Sequence, residues 1–103
     1  MTLEEQIKSD IENNPIMLYM KGTKVMPMCG FSATVINILN AYGVEYEAVN
    51  VLEDSEIRVK LSEYSDWPTI PQLFVNGELI GGCDIAMELH QKGELKDIFD
   101  KAK

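Results

Sequence analysis

Apolar residues recur along the chain with two different periods, and the switches between them predict the order of elements. Leu3, Ile7 and Ile11 fall at helical spacing behind Thr2. Thr2 with Glu5 has the capping-box pattern, so a short helix should end before Asn14-Pro15. Pro15 opens a strand that runs through about Tyr19 or Met20, and its unbroken apolar run marks a central strand covered on both faces. From Phe31 the period becomes helical again: Phe31, Val35, Ile38, Leu39 and Tyr42 share a face, and Gly43 suits the position just past a helix end. Tyr46 to Val51 reads as a second strand. A strand-helix-strand unit with this crossover length implies a parallel pair joined right-handedly.

Asp54 or a neighbour caps a third helix whose inner face is Ile57, Leu61 and Tyr64. The segment Trp67-Pro68-Thr69-Ile70-Pro71 then blocks regular structure. Leu73-Phe74-Val75 and Glu78-Leu79-Ile80 flank Asn76-Gly77, the strongest two-residue hairpin signal. Gly81-Gly82 leads into a helix from about Asp84 to Gly93, and Leu95, Ile98 and Phe99 mark a last amphipathic helix. The order α-β-α-β-α-β-β-α-α predicts an α/β chain with one mixed four-stranded sheet and helices on both faces.

With 103 residues, 46% of them apolar, residues 1–103 are expected to form a single domain whose core needs neither disulfide nor metal. The chain carries 17 acidic against 9 basic residues, a formal charge of -8. Such a surface repels phosphate backbones and anionic lipid, so neither nucleic acid nor membrane is an expected partner. The acidic start, Met1-Thr2-Leu3-Glu4-Glu5, resembles neither a secretory signal nor a transit peptide, and the chain reads as soluble and intracellular. Its two cysteines, Cys29 and Cys83, are accordingly expected to be reduced.

Cys29 is the first candidate for chemistry. It stands where the first strand gives way to a helix, beside unpaired amides and the positive end of the helix dipole, which favour thiolate over thiol. A free thiol has a pKa of about 8.5, and each unit of depression favours the anion by about 1.4 kcal/mol. Ser32 occupies the position where a dithiol site would carry its resolving cysteine.

Other residues read more plainly. Lys21 and Arg58, taken alone, are solvated surface charges. Trp67 reads as packing for the loop before Pro71, and His90 as solvent-facing, since one histidine without a neighbouring ligand set makes no zinc site. Met26 and Met28 fit loop packing and an adaptable contact surface equally well.

The order of elements, with a cysteine at the first strand-helix junction and a proline before the third strand, resembles the thioredoxin fold. Narrower motifs are Lys21-Gly22, Pro27-Met28-Cys29-Gly30-Phe31-Ser32, Trp67-Pro68-Thr69-Ile70-Pro71-Gln72-Leu73 and Gly77-Glu78-Leu79-Ile80-Gly81-Gly82-Cys83-Asp84. Together they resemble the monothiol glutaredoxins of the Cys-Gly-Phe-Ser class, in the single-domain branch. The resemblance implies a glutathione site in which Lys21 and Arg58 meet the glycine carboxylate. In the same site Ile70, before a cis Pro71, pairs through its backbone with the cysteinyl part, and Thr69 assists. Cys83 and Asp84 receive the γ-glutamyl end. Cys83 is left with three readings, as packing residue, backbone donor or redox partner of Cys29.

The resemblance also implies a [2Fe-2S] cluster as second cofactor, bridged between two protomers by Cys29 of each and two glutathiones, and handed to acceptor apo iron–sulfur proteins. Two alternatives stay open: a monothiol oxidoreductase that removes glutathione from mixed disulfides, and a regulatory cluster-bearing partner of BolA-like proteins. Weak reductase activity is expected, because Thr23 to Pro27 is longer than the matching turn of dithiol glutaredoxins. The implied location is a bacterial cytoplasm, or a mitochondrial matrix if the source is eukaryotic.

Overall fold

A computed structural model describes residues 2–102. Helix α1 spans Leu3–Asn13, strand β1 Ile16–Met20, helix α2 Gly30–Tyr42 and strand β2 Glu47–Asn50. A 3-10 turn, Val51–Glu53, leads to α3, Ser55–Ser65. The hairpin strands are β3, Gln72–Val75, and β4, Glu78–Gly81, followed by α4, Cys83–Gln91, and α5, Glu94–Asp100. Thr2 and Glu5 form the reciprocal capping box at α1, and Gly43 ends α2 with φ 67°. None of the described helices is long and apolar enough to cross a membrane.

The sheet runs β2-β1-β3-β4, with β1 parallel to β2 and antiparallel to β3, and β3 antiparallel to β4. Every residue of β1 is buried, which makes it the central strand that its apolar run predicts. Alternation divides its side chains between two cores. Ile16, Leu18 and Met20 join Leu73 and Val75 against Val35 and Leu39 of α2, Ala86 of α4 and Phe99 of α5. On the other face Met17, Tyr19 and Phe74 meet Ile7 and Ile11 of α1 and Leu61 of α3. Burying each large apolar side chain contributes roughly 1.5–3 kcal/mol, so a one-residue slip of β1 would exchange the two cores and forfeit both.

Three expectations need correction. Spacing puts Phe31 on one face of α2 with Val35 and Leu39, yet unlike them it is 62% exposed, because it lies in the first helical turn, ahead of the residues that reach the sheet. Tyr64 was assigned to the inner face of α3 and is 45% exposed, leaving Leu61 as that helix's buried anchor. A tyrosine covers apolar surface with its ring while its hydroxyl keeps water, which the last turn of α3 permits. The second strand also ends one residue early, since the Asn50 side chain accepts the Leu52 N–H at 2.9 Å and turns the chain out of the sheet.

Gln72 has no exposed surface and satisfies its polar groups internally. Its amide nitrogen donates to the carbonyls of Trp67 and Thr69, at 2.9 and 3.1 Å, and its oxygen accepts from the Ser65 hydroxyl at 2.8 Å. It thereby fastens the loop before β3 to the end of α3. Gln72→Leu removes these bonds while keeping similar bulk, and should cost about 2–3 kcal/mol. Urea unfolding measures this, and a loss below about 0.5 kcal/mol would assign the loop's order to Pro71 and its neighbours instead.

Candidate functional site

Cys29 is the N-cap of α2, with extended backbone at φ -145° and ψ 135°, and its carbonyl accepts the Ala33 N–H at 2.9 Å. The first amides of the helix therefore face its half-buried side chain. Its thiol makes no capping hydrogen bond, but the nearby Ser32 amide does most to hold its pKa below the ordinary value. Partial burial works against this, and the Phe31 amide, the Lys21 charge and the Ser32 hydroxyl add to the lowering. The thiolate is thus favoured where the sequence places it.

Lys21 and Cys29 come together because the loop between them closes on itself. The Lys21 carbonyl accepts the Met28 N–H at 2.8 Å, Thr23 and Met26 exchange two backbone bonds at 3.1 Å, and Gly22 bridges Pro27 in antiparallel fashion. Gly22 has φ 98°, and a Cβ there would lie 2.5 Å from both the Met26 oxygen and the Met28 nitrogen. No other residue fits so close a backbone approach. The Lys21 N–H donates to the Ser32 hydroxyl oxygen at 3.2 Å, so Ser32, fully buried, ties the end of β1 to the first turn of α2. At the loop's tip the Lys24 ammonium lies 4.1 Å from the centroid of the Tyr46 ring and donates to the Tyr46 carbonyl.

The opposite wall comes from two backbone segments that touch. The Ile70–Pro71 peptide is cis, and among the loop, turn and cap hydrogen bonds of the described residues none uses the Ile70 amide or carbonyl. At Gly82 a Cβ would lie 3.1 Å from the Pro71 oxygen, so glycine lets the start of α4 approach the proline loop. Cys83 opens α4, buried, with its sulfur 3.8 Å from that of Met87. Burial first, then the Asp84 charge, raises its pKa, opposite in sign to Cys29. Both cysteines are free thiols.

The two walls enclose a cavity of about 410 Å³ whose lining includes all seven sequence-predicted site residues: Lys21, Cys29, Arg58, Thr69, Ile70, Cys83 and Asp84. Phe31 is part of this wall, as are Trp67, Pro71, Gly82 and Ile85. A larger hollow of about 580 Å³, between Lys24, Tyr46 and the start of β1, contains neither cysteine nor histidine in its lining. Chemistry rather than volume therefore selects the smaller cavity. His90 lies elsewhere, its ring nitrogen 2.8 Å from the Tyr42 hydroxyl. Among the described residues no group of three or more His, Cys, Asp or Glu side chains is placed to hold a metal ion.

Comparison with known proteins agrees with this geometry. The family model for glutaredoxin matches residues 16–80. The chain is 59% identical over 93 residues to the probable monothiol glutaredoxin 2 of Rickettsia conorii, covering 90% of this chain and 87% of that one. It is 48% identical over 98 residues to glutaredoxin 4 of Escherichia coli K12, covering 95% and 85%. The solution structure of reduced poplar apo GrxS14 superposes with a TM-score of 0.86 at 44% identity, over 97% of this chain and 92% of that one. With its thioredoxin-like fold and Cys-Gly-Phe-Ser motif at the start of α2, the chain belongs to the glutaredoxin family, in its monothiol branch.

Proposed function

We propose that the cavity binds glutathione and that the protein carries a [2Fe-2S] cluster as cargo, shared between two copies of the chain and delivered to apo iron–sulfur proteins. The observation that carries this reading is the gathering, around one activated thiol, of two cations, one carboxylate and the Ile70 backbone, which none of the loop, turn and cap hydrogen bonds of the described residues uses. Glutathione offers the complement, with two carboxylates, an ammonium group, peptide amides and a thiol. In this reading Lys21 and Arg58 pair with the glycine carboxylate, Arg58 through its planar fork. Ile70 pairs through its backbone N–H and C=O, assisted by Thr69, and the first amides of α4 at Cys83 and Asp84 receive the γ-glutamyl carboxylate while the Asp84 side chain takes the ammonium.

The cluster is what the family resemblance implies, and a count of ligands fits it to two chains. A [2Fe-2S] centre takes four thiolates, whereas a chain contributes the lowered thiol of Cys29 and the buried, raised thiol of Cys83 is ill suited to the task. Two Cys29 thiolates and two glutathione thiolates complete the set. A carrier held half by a dissociable small molecule can release its cargo to a recipient. By family resemblance BolA-like proteins are a further class of partner in this proposal, and a reducing bacterial cytoplasm suits thiols that must stay free.

A second reading rests on the lowered Cys29 pKa. The Cys29 thiolate attacks the glutathione sulfur of a protein-glutathione mixed disulfide, and the substrate protein leaves as a thiolate. A second glutathione thiolate then attacks that sulfur, releasing glutathione disulfide and restoring Cys29. No resolving cysteine is required. Both readings use the same thiol and cavity and differ in cargo.

Alkylation of Cys29 by iodoacetamide, followed by mass spectrometry, should rise with pH through a midpoint below that of the same residue in the urea-unfolded chain. Raising the pH above the folded midpoint adds no further thiolate, so the rate should level off there. A midpoint equal to or above the unfolded one would remove the activated thiol from both readings.

Reconstitution with iron, sulfide and glutathione separates them. Cys29→Ser should abolish visible cluster absorbance, because serine neither ionises near neutrality nor supplies a soft ligand, while Cys83→Ser should keep most of it. Equal loss in both variants would contradict ligation by Cys29 and glutathione, and a colourless wild type with rapid mixed-disulfide turnover would favour the oxidoreductase.

A further inference from the structure

The loop that carries Lys21 toward Cys29 is fixed from outside the cavity, by a residue that no motif singles out. Asn50 ends β2 opposite Met20, the last residue of β1. Its Oδ1 accepts two backbone N–H groups, that of Gly22 at 2.9 Å and that of Leu52 at 2.9 Å. The Leu52 bond is local and its residue is 55% exposed, so water replaces it readily. Gly22 is buried, and its amide left without a partner costs free energy. Asn50 does not line the cavity; with Gly22, Thr23 and Lys24 it borders a separate hollow behind the loop.

Three bonds therefore converge on two residues. Ser32 accepts the Lys21 amide, Met28 donates to the Lys21 carbonyl, and Asn50 accepts the Gly22 amide. The first two link Lys21 to the segment around Cys29. The third ties this turn sideways to the end of β2, while the Lys24 contacts with Tyr46 hold only the loop's tip. We infer that Asn50 is a positioning residue, which fixes the Lys21-Gly22 turn against the sheet so that Lys21 is held facing the ligand cavity beside Cys29. This inference rests on the glutathione reading for its consequence in binding, but the geometry of the turn can be measured without any ligand.

The test compares Asn50→Ala, Asn50→Ser and Asn50→Asp in the full chain, with circular dichroism as the check of folding. Asp keeps an acceptor where Oδ1 stands and should preserve both bonds. Serine can cap the Leu52 amide locally but is too short to reach Gly22, which separates the two bonds and supplies a milder variant should alanine fold poorly. Amide exchange of Gly22 and Met28, read by NMR, should accelerate in the alanine and serine variants and stay near wild type in the aspartate variant. Titration with S-methylglutathione, which has no free thiol, should show about 3- to 10-fold weaker binding in the first two and recovery in the third. The loss should vanish in a Lys21→Ala background, because a residue acting through Lys21 has nothing left to position. Unchanged exchange in the alanine and serine variants would overturn the inference, as would an undiminished loss of affinity when Lys21 is already alanine. If the wild type fails to bind S-methylglutathione, the glutathione reading falls, and the exchange rates still decide whether Asn50 holds the turn.

Discussion

The site depends on one electrostatic constraint: the first amides of α2 have no partner within the helix, and Cys29 is the residue placed to use them. That arrangement needs a helix that starts at Gly30 and a strand that delivers the chain to it. Central β1, buried throughout, supplies the second requirement. Ser32 joins the two by accepting the amide of Lys21, so the residue standing where a second cysteine would close a disulfide serves instead as part of the framework. The contrast between the cysteines has the same origin. Cys29 gains amides and a cation at a half-open helix start, whereas Cys83, also at a helix start, is more deeply buried and lies beside a carboxylate. At Cys29 the Ser32 amide outweighs partial burial, whereas at Cys83 burial and the Asp84 charge prevail.

Much of this was legible in the sequence because it depends on local rules. The capping box, the glycine after α2, the Asn76-Gly77 hairpin and the unbroken apolar run of β1 each follow from short-range chemistry, and each occurs as expected. The candidate site residues other than Arg58 were legible through their motifs, Arg58 through the family resemblance alone, and all seven line one cavity although they are scattered between Lys21 and Asp84. Their roles toward a ligand belong to the proposal and not to the geometry.

What was not legible depends on where elements stop relative to one another. Periodicity places Phe31 on the apolar face of α2, but it cannot show that the first turn opens toward the cavity instead of the sheet. Gln72 looks like an ordinary polar residue at the start of a strand, and only the fold brings its amide to the Trp67 and Thr69 carbonyls. Asn50 carried a readable signal, since asparagine favours caps, and that signal accounts for the early end of β2. Its second bond, to Gly22, spans 28 residues and has no counterpart in local pattern.

The most direct measurement is native mass spectrometry of the wild-type protein after anaerobic loading with iron, sulfide and glutathione. The expected species contains two chains, one [2Fe-2S] cluster and two glutathiones, and it should separate into single chains when the glutathione is removed. A cluster retained by one chain, or by two chains without glutathione, would contradict the assignment of the cavity as the place where a small-molecule thiol completes the ligand set.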